Sequence, residues 1–341
     1  YDLKTGELKN PITSGDWSIR DALYFDANTR EVIVQIMGRV EGRDYYYREI
    51  ARVHVDNGEM KLIASSDHDY ELSSLSPDGQ YVVVTYSRVD TAPVTELREK
   101  NGEVILTLET MDETYLPENW QWPEPVKTIA ADSKTPIYGA IFRPTDFDPD
   151  KSYPVLDFCH SNPFFAAVPK HAFSVGYYEI AAAFAELGMI VVMMDGRGTC
   201  FRDKAFRDYG YENFLENGGI IDRVAGIKQL AERYAYMDLN RVGIIDFDGS
   251  NAGVTGLLVF PDFYQVGVAA SLYDPRLVKQ GEVYMGLTTE EKRNQAVIWD
   301  DVINNLKGKL FINTGLRDQY FHPCATFHLT DALIQANKDF E

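Results

Sequence analysis

Arg241-Val-Gly-Ile-Ile-Asp-Phe-Asp248-Gly-Ser-Asn251 is an apolar run that ends in small and acidic residues. It predicts a buried strand, a tight turn and then a helix. That is the frame of a nucleophile elbow, in which small-x-nucleophile-x-small lifts one side chain out of a strained turn. Glycine suits the flanking positions because the turn is strained and the helix approaches closely. Here Asp246 stands where the first glycine is expected, Asp248 where the nucleophile is expected, and Ser250 and Asn251 at the later small positions. A second register, Gly249-Ser-Asn251-Ala-Gly253, keeps both glycines and puts Asn251 at the apex, where it offers no nucleophile. In both registers the frame is kept and the serine is missing.

Around this stretch, from about residue 130 onward, strands alternate with helices, the signature of a parallel sheet with helical crossovers. Tyr153-Pro-Val-Leu-Asp-Phe158 reads as a strand, Tyr177 to Leu187 as a helix, and Met189 to Met194 as a strand buried on both faces. Ile220 to Tyr234 has helical spacing, Arg241 to Ile245 is the strand entering the elbow, Lys309 to Asn313 is a later strand, and Pro323 to Ala336 a helix. Trp120-Gln-Trp122-Pro-Glu-Pro125 reads as a linker, since its prolines resist regular structure.

Residues 1 to about 120 follow a different period. Thr5-Gly6-Glu7, Asn57-Gly58-Glu59 and Asn101-Gly102-Glu103 each sit at a turn between alternating runs, at intervals of 52 and 44 residues, in the range of propeller blades. Ser76-Pro-Asp-Gly79 before Tyr81-Val-Val-Val-Thr85 is another turn and strand. The alternative is a generic antiparallel sheet. Two or three blades do not close a ring, so further blades are expected ahead of Tyr1.

The chain has 341 residues, enough for two domains. Its net charge of −19, from 33 basic and 52 acidic residues, disfavours nucleic acid or an anionic membrane as partner. Cys159, Cys200 and Cys324 are too widely spaced to suggest a disulfide framework or a zinc cluster, and no metal or cofactor is expected. No apolar run is long enough to span a bilayer. The chain opens at Tyr1 with neither an initiator methionine nor a signal-peptide pattern, so it reads as a piece of a longer protein and no compartment is assigned.

Asp195-Gly-Arg-Gly-Thr199 with Lys204-Ala-Phe206, Tyr234-Ala-Tyr-Met-Asp-Leu-Asn-Arg-Val-Gly243, Tyr284-Met-Gly-Leu287 and Asn337-Lys-Asp-Phe340 make the pattern specific. Together they resemble the prolyl oligopeptidase family on its dipeptidyl peptidase IV side. The resemblance implies an α/β-hydrolase, a mostly parallel sheet flanked by helices, over residues 126–341, preceded by part of a β-propeller over 1–125. It implies a peptide as substrate or ligand, is compatible with a homo-oligomer, and allows a periplasmic or extracellular setting.

Residue by residue, the family's nucleophilic serine falls on Asp248 and its histidine-orienting acid on Asp318, in Gly315-Leu-Arg-Asp318. Its oxyanion tyrosine falls on His160, and pocket positions fall on Arg276, Gln280, Tyr320 and Phe321, altered from the family's pattern. Its histidine is expected beyond Asn337-Lys-Asp-Phe340, past Glu341, so the hydrolase part reads as cut short. His322 and His328 come too early for that loop and read as surface or packing residues. A serine peptidase homologue without activity is the first reading. The second is an active serine peptidase whose sequence here is altered or truncated. The third makes Asp248 the nucleophile, at a cost set by like-charge repulsion from Asp246.

Overall fold

The computed structural model describes residues 1–160, 165–212, 219–246, 251–273 and 299–341. The chain divides into two compact units. The first holds Tyr1–Glu118, Pro169–Ser174 and Phe201–Asp203, and the second holds Asn119–Val168, Val175–Cys200 and Lys204–Glu341.

The first unit is built of two four-stranded antiparallel sheets in simple up-and-down order. One runs β1 (Ser18–Asp26), β2 (Glu31–Met37), β3 (Glu49–His54) and β4 (Met60–Ala64). The other runs β5 (Asp69–Leu75), β6 (Tyr81–Arg88), β7 (Thr91–Glu99) and β8 (Val104–Thr110). The two Asn-Gly-Glu turns fall at the same place in each sheet, between its third and fourth strands. Gly58 and Gly102 there adopt φ of 71° and 97°, a backbone that other residues take only with strain. These consecutive sheets are part of a β-propeller. Ile33, Ile50 and Ile63 of the first sheet pack with Tyr70, Val82 and Val84 of the second in one buried cluster. β8 is the outermost strand of its sheet, and its apolar residues Val104, Ile105, Leu106 and Leu108 are each about half exposed.

Asp69 sits at the start of β5, fully buried, and is bound from several sides. It accepts bonds from Arg48 N (2.7 Å), Nε (2.8 Å) and Nη2 (2.7 Å). His171 Nε2 lies 3.0 Å away, brought in by the 169–174 segment, and Glu71 stands 3.6 Å from the same guanidinium. Burial alone would raise the Asp69 pKa, but the Arg48 charge and the His171 bond outweigh it and hold it far below the ordinary carboxylate value. Because the folded value is depressed, the ionised form contributes stability above the unfolded pKa of about 3.9, and that contribution is lost as pH falls below it. Asp69→Asn is therefore expected to lower the Tm at pH 7 and to flatten its fall between about pH 4 and pH 2. Parallel acid limbs for the two proteins would contradict this.

The second unit carries a seven-stranded sheet in the order β15-β14-β13-β11-β12-β10-β9. Its strands are β9 (Glu124–Ile129), β10 (Pro136–Phe142), β11 (Tyr153–Cys159), β12 (Ile190–Met194), β13 (Met237–Asp246), β14 (Val266–Ala270) and β15 (Lys309–Asn313). β12, β11, β13, β14 and β15 are parallel, while β9 and β10 join antiparallel at one end. The described helices are α1 (Tyr177–Ala185), α2 (Lys204–Glu212), α3 (Ile220–Arg233), α4 (Ala252–Val259), α5 (Trp299–Val302) and α6 (Cys324–Gln335). This is an α/β-hydrolase sheet. β9 begins inside the stretch read as a linker. Pro125 is tolerated there because β9 is an edge strand, with one side free of ladder bonds.

Glu186 caps the C-terminal end of α1, and its carboxylate accepts the Thr145 N–H and hydroxyl, both at 2.9 Å. β12 is buried at every position, as a central strand covered on both faces must be. The Asp195-Gly-Arg-Gly-Thr199 block works as a junction. Asp195 accepts the Ala167 and Val168 amides (2.8 and 3.1 Å), and Arg197 donates to both oxygens of Asp222 (2.9 and 2.8 Å). A side chain on Gly219 would meet Gly196 Cα at 2.6 Å, so α3 approaches this block by backbone contact alone.

Candidate active site

Parallel pairing puts the carboxyl ends of β11, β13, β14 and β15 on one edge of the sheet, where open α/β folds gather their sites. Cys159 pairs with Asp246, Asp246 with Ala269, and Ala270 with Asn313. His160 directly follows β11, Asn251 precedes α4 after β13, Ser271 to Tyr273 follow β14, and Asp318 lies in the loop after β15. Asp248, Arg276 and Gln280 lie outside the described residues.

His160 is 2% exposed. Its ring stacks on Tyr177 at 5.2 Å between centroids and meets the edge of Phe165 at 5.0 Å. The His160 imidazole is thus held between two aromatic rings, which fixes its plane.

Asp318 is tied to its own loop. Oδ1 accepts the Tyr320 and Phe321 amides, both at 2.9 Å, and Oδ2 accepts the Ser271 hydroxyl at 3.2 Å. The Phe321 and Tyr320 amides, with Ser271, hold this carboxyl below its ordinary value. Ser271 had no signal in the sequence, and it joins the β14 and β15 ends. Beside Asp318, Tyr320 is 81% exposed and Phe321 half-buried.

Two polar side chains tie the start of α4. Asp246 is fully buried at the end of β13, and its Oδ2 accepts the Gly253 N–H at 2.9 Å. Asn251 is 8% exposed; its Nδ2 donates to Tyr273 O (2.6 Å) and its Oδ1 accepts the Tyr273 N–H (2.9 Å). α4 then lies close on the sheet: a Cβ on Gly253 would stand 2.3 Å from Val268 O.

Beneath the site lies an ion pair that sequence reading did not single out. Arg223 on α3 and Asp157 on β11 are 1% and 0% exposed. Arg223 Nε donates to Asp157 Oδ1 and Oδ2 (2.9 and 3.1 Å), and its Nη atoms donate to Asp157, Met194 O and Phe158 O. Tyr264 adds a hydroxyl bond to Asp157 Oδ2 at 2.7 Å. Burial and the Asp157 charge push the Tyr264 phenol well above its ordinary value, so it stays a donor.

Residues 176–341 match the prolyl oligopeptidase family, and residues 1–93 match the dipeptidyl peptidase IV N-terminal region. The chain belongs to the prolyl oligopeptidase family, on its dipeptidyl peptidase IV side. A Schizosaccharomyces pombe protein that carries a dipeptidyl aminopeptidase name is 29% identical across 96% of this chain and 41% of its own length. Human dipeptidyl peptidase 8 is 26% identical across 60% of this chain and 24% of its own length. The crystal structure of Porphyromonas gingivalis dipeptidyl peptidase 4 superposes with a TM-score of 0.79 at 24% identity, covering 99% of this chain and 47% of that one. That likeness establishes the fold. The chain spans less than half the length of each of these relatives. Among the described residues, no helix is long and apolar enough to cross a membrane.

Proposed function

We propose that this member of the dipeptidyl peptidase-like serine peptidases does not hydrolyse peptides and serves as a binding or structural homologue. In this reading Asp248 stands at the nucleophile position, Asp318 at that of the triad acid and His160 at that of the oxyanion donor. Arg276, Gln280, Tyr320 and Phe321 stand at pocket positions, within a division into a propeller part (1–125) and a hydrolase part (126–341). The observation that carries the reading is the buried Asp246 at the end of β13. Asp246 replaces the first glycine, and its buried carboxylate is engaged on the Gly253 amide of α4.

Asp318 is held in its loop by bonds from Tyr320, Phe321 and Ser271, so in this reading the acid position is kept while the nucleophile position is changed. An aspartate at 248 does not form the acyl-enzyme of a serine peptidase. The polar Arg276 and Gln280 give a proline ring little to pack against. Elements that hold the fold, such as the apolar β12 and the Asp195 junction, are intact. The test is release of p-nitroaniline from Gly-Pro and Ala-Pro p-nitroanilides by the purified chain. Background rates are expected. Turnover that survives repurification and is abolished by Asp248→Ala would reverse the reading in favour of an aspartate nucleophile.

A further inference from the structure

The two sheets of the first unit end in four edge strands, β1, β4, β5 and β8, and these differ in what engages them. On β1, the Arg20 guanidinium stacks over the Phe201 ring at 3.8 Å and pairs with Asp21 at 3.3 Å. On β4, the Ile63 carbonyl accepts Arg98 Nη1 at 3.0 Å, and Ile63 and Ala64 are buried. On β5, the Tyr70 N–H donates to Arg48 O at 3.0 Å, and Asp69 is enclosed by Arg48 and His171. β8 differs from all three: every one of its seven residues is exposed.

An edge strand offers unpaired N–H and C=O groups to an extended chain that lies alongside it. β8 pairs on one side only, with β7, and that ladder skips Ile105 and Leu108. Such irregularities twist an edge and guard it against flat stacking of identical sheets. A short extended peptide follows the twist.

Charge selects among partners. From residue 99 to residue 113 the acids are Glu99, Glu103, Glu109, Asp112 and Glu113, against Lys100 alone. Glu103, Glu109 and Glu113 are exposed and have no ion-pair partner among the described residues. A second copy would bring the same acids to the same edge. Lysine or arginine on an incoming strand would meet them with opposite charge.

We infer that β8 is a docking edge for an extended cationic segment of another protein, which adds to the sheet as a further strand. Main-chain hydrogen bonds supply affinity, apolar side chains cover Val104, Ile105, Leu106 and Leu108, and basic ones face Glu103 and Glu109. β8 lies in the propeller part, so this inference goes beyond the absence of peptidase activity and does not depend on it.

The probe is a fluorescein-labelled peptide of about seven residues that alternates lysine and valine, titrated with the 341-residue chain and followed by anisotropy. Saturable binding is expected, weakened at least about fivefold by high salt because the ionic contacts are exposed. A lysine–proline peptide has the same charge but lacks N–H groups at its prolines, and is expected to bind at least about tenfold more weakly. Hydrogen exchange in the complex is expected to slow across residues 104–110 and not across β1. Ile105→Lys with Leu108→Lys, and separately Glu103→Lys with Glu109→Lys, are each expected to weaken binding by about tenfold. Where these variants do not fold, the proline peptide and the exchange map on the parent chain decide. No saturable binding, equal binding of the two peptides, or protection confined to residues outside 104–110 overturns the inference. So does sedimentation of the parent chain as a dimer that Ile105→Lys with Leu108→Lys dissociates, which would assign the edge to a second copy.

Discussion

Arg223→Ala is expected to lose about 3–5 kcal/mol of stability, because it leaves the fully buried Asp157 carboxylate without its counter-charge. Domains of ordinary stability have about 5–15 kcal/mol in total, so this change alone should shift the urea midpoint severely. Tyr264 would still donate to Asp157, but one neutral hydroxyl does not replace a guanidinium that also serves Met194 O and Phe158 O. The paired replacement Arg223→Met with Asp157→Leu should cost far less, since removing both charges also removes their desolvation penalty. A single variant that unfolds at the same urea concentration as the parent would show that the pair is not the fastening described.

Asp248→Ser is expected to restore no cleavage of Gly-Pro p-nitroanilide. Serine at 248 supplies the residue type but, in the proposed reading, leaves the altered oxyanion position at His160 and the altered pocket positions Arg276 and Gln280 as they are. The buried Asp246 also remains where a glycine is required. Removing the nucleophile from a working serine peptidase costs on the order of a millionfold in kcat in the subtilisin example, and triad losses are not additive. Replacing one member of a unit whose surrounding positions are altered is therefore expected to recover almost none of the rate. Cleavage that appears in Asp248→Ser and disappears in Asp248→Ser with Asp318→Asn would show instead that the aspartate at 248 alone accounts for the inactivity and that the rest of the site is competent.

The parts of the fold legible in sequence were those whose cause is local. β15 was read to the residue, from Lys309 to Asn313, because a short apolar run bounded by Gly308 and Thr314 has few other solutions. The Asn-Gly-Glu turns at 57–59 and 101–103 were legible because glycine at positive φ is a backbone requirement that shows in the sequence. The Asp157–Arg223 pair left a weaker trace: a carboxylate within the apolar β11 and an arginine among Ile220, Val224 and Ile227 of α3. Each alone looks like an interruption, and 66 residues of chain separate them. The elbow register was ambiguous because glycine and small polar residues satisfy both spacings. The 169–174 segment gave no sign that it joins the first unit, since Lys170 and His171 look like any solvated pair until Asp44 and Asp69 stand opposite them.

The outer edge of β8 bears on how the purified chain behaves in solution. An edge strand with exposed valine, isoleucine and leucine is a template for pairing with another copy. At neutral pH the net charge of −19 keeps copies apart by colloidal repulsion. That repulsion vanishes near the sequence isoelectric point of about 4.7, while the apolar edge is unchanged. Acidification therefore crosses a solubility minimum before it reaches the range in which Asp69 is protonated. An acid titration of this fold is a precipitation experiment first and an unfolding experiment second.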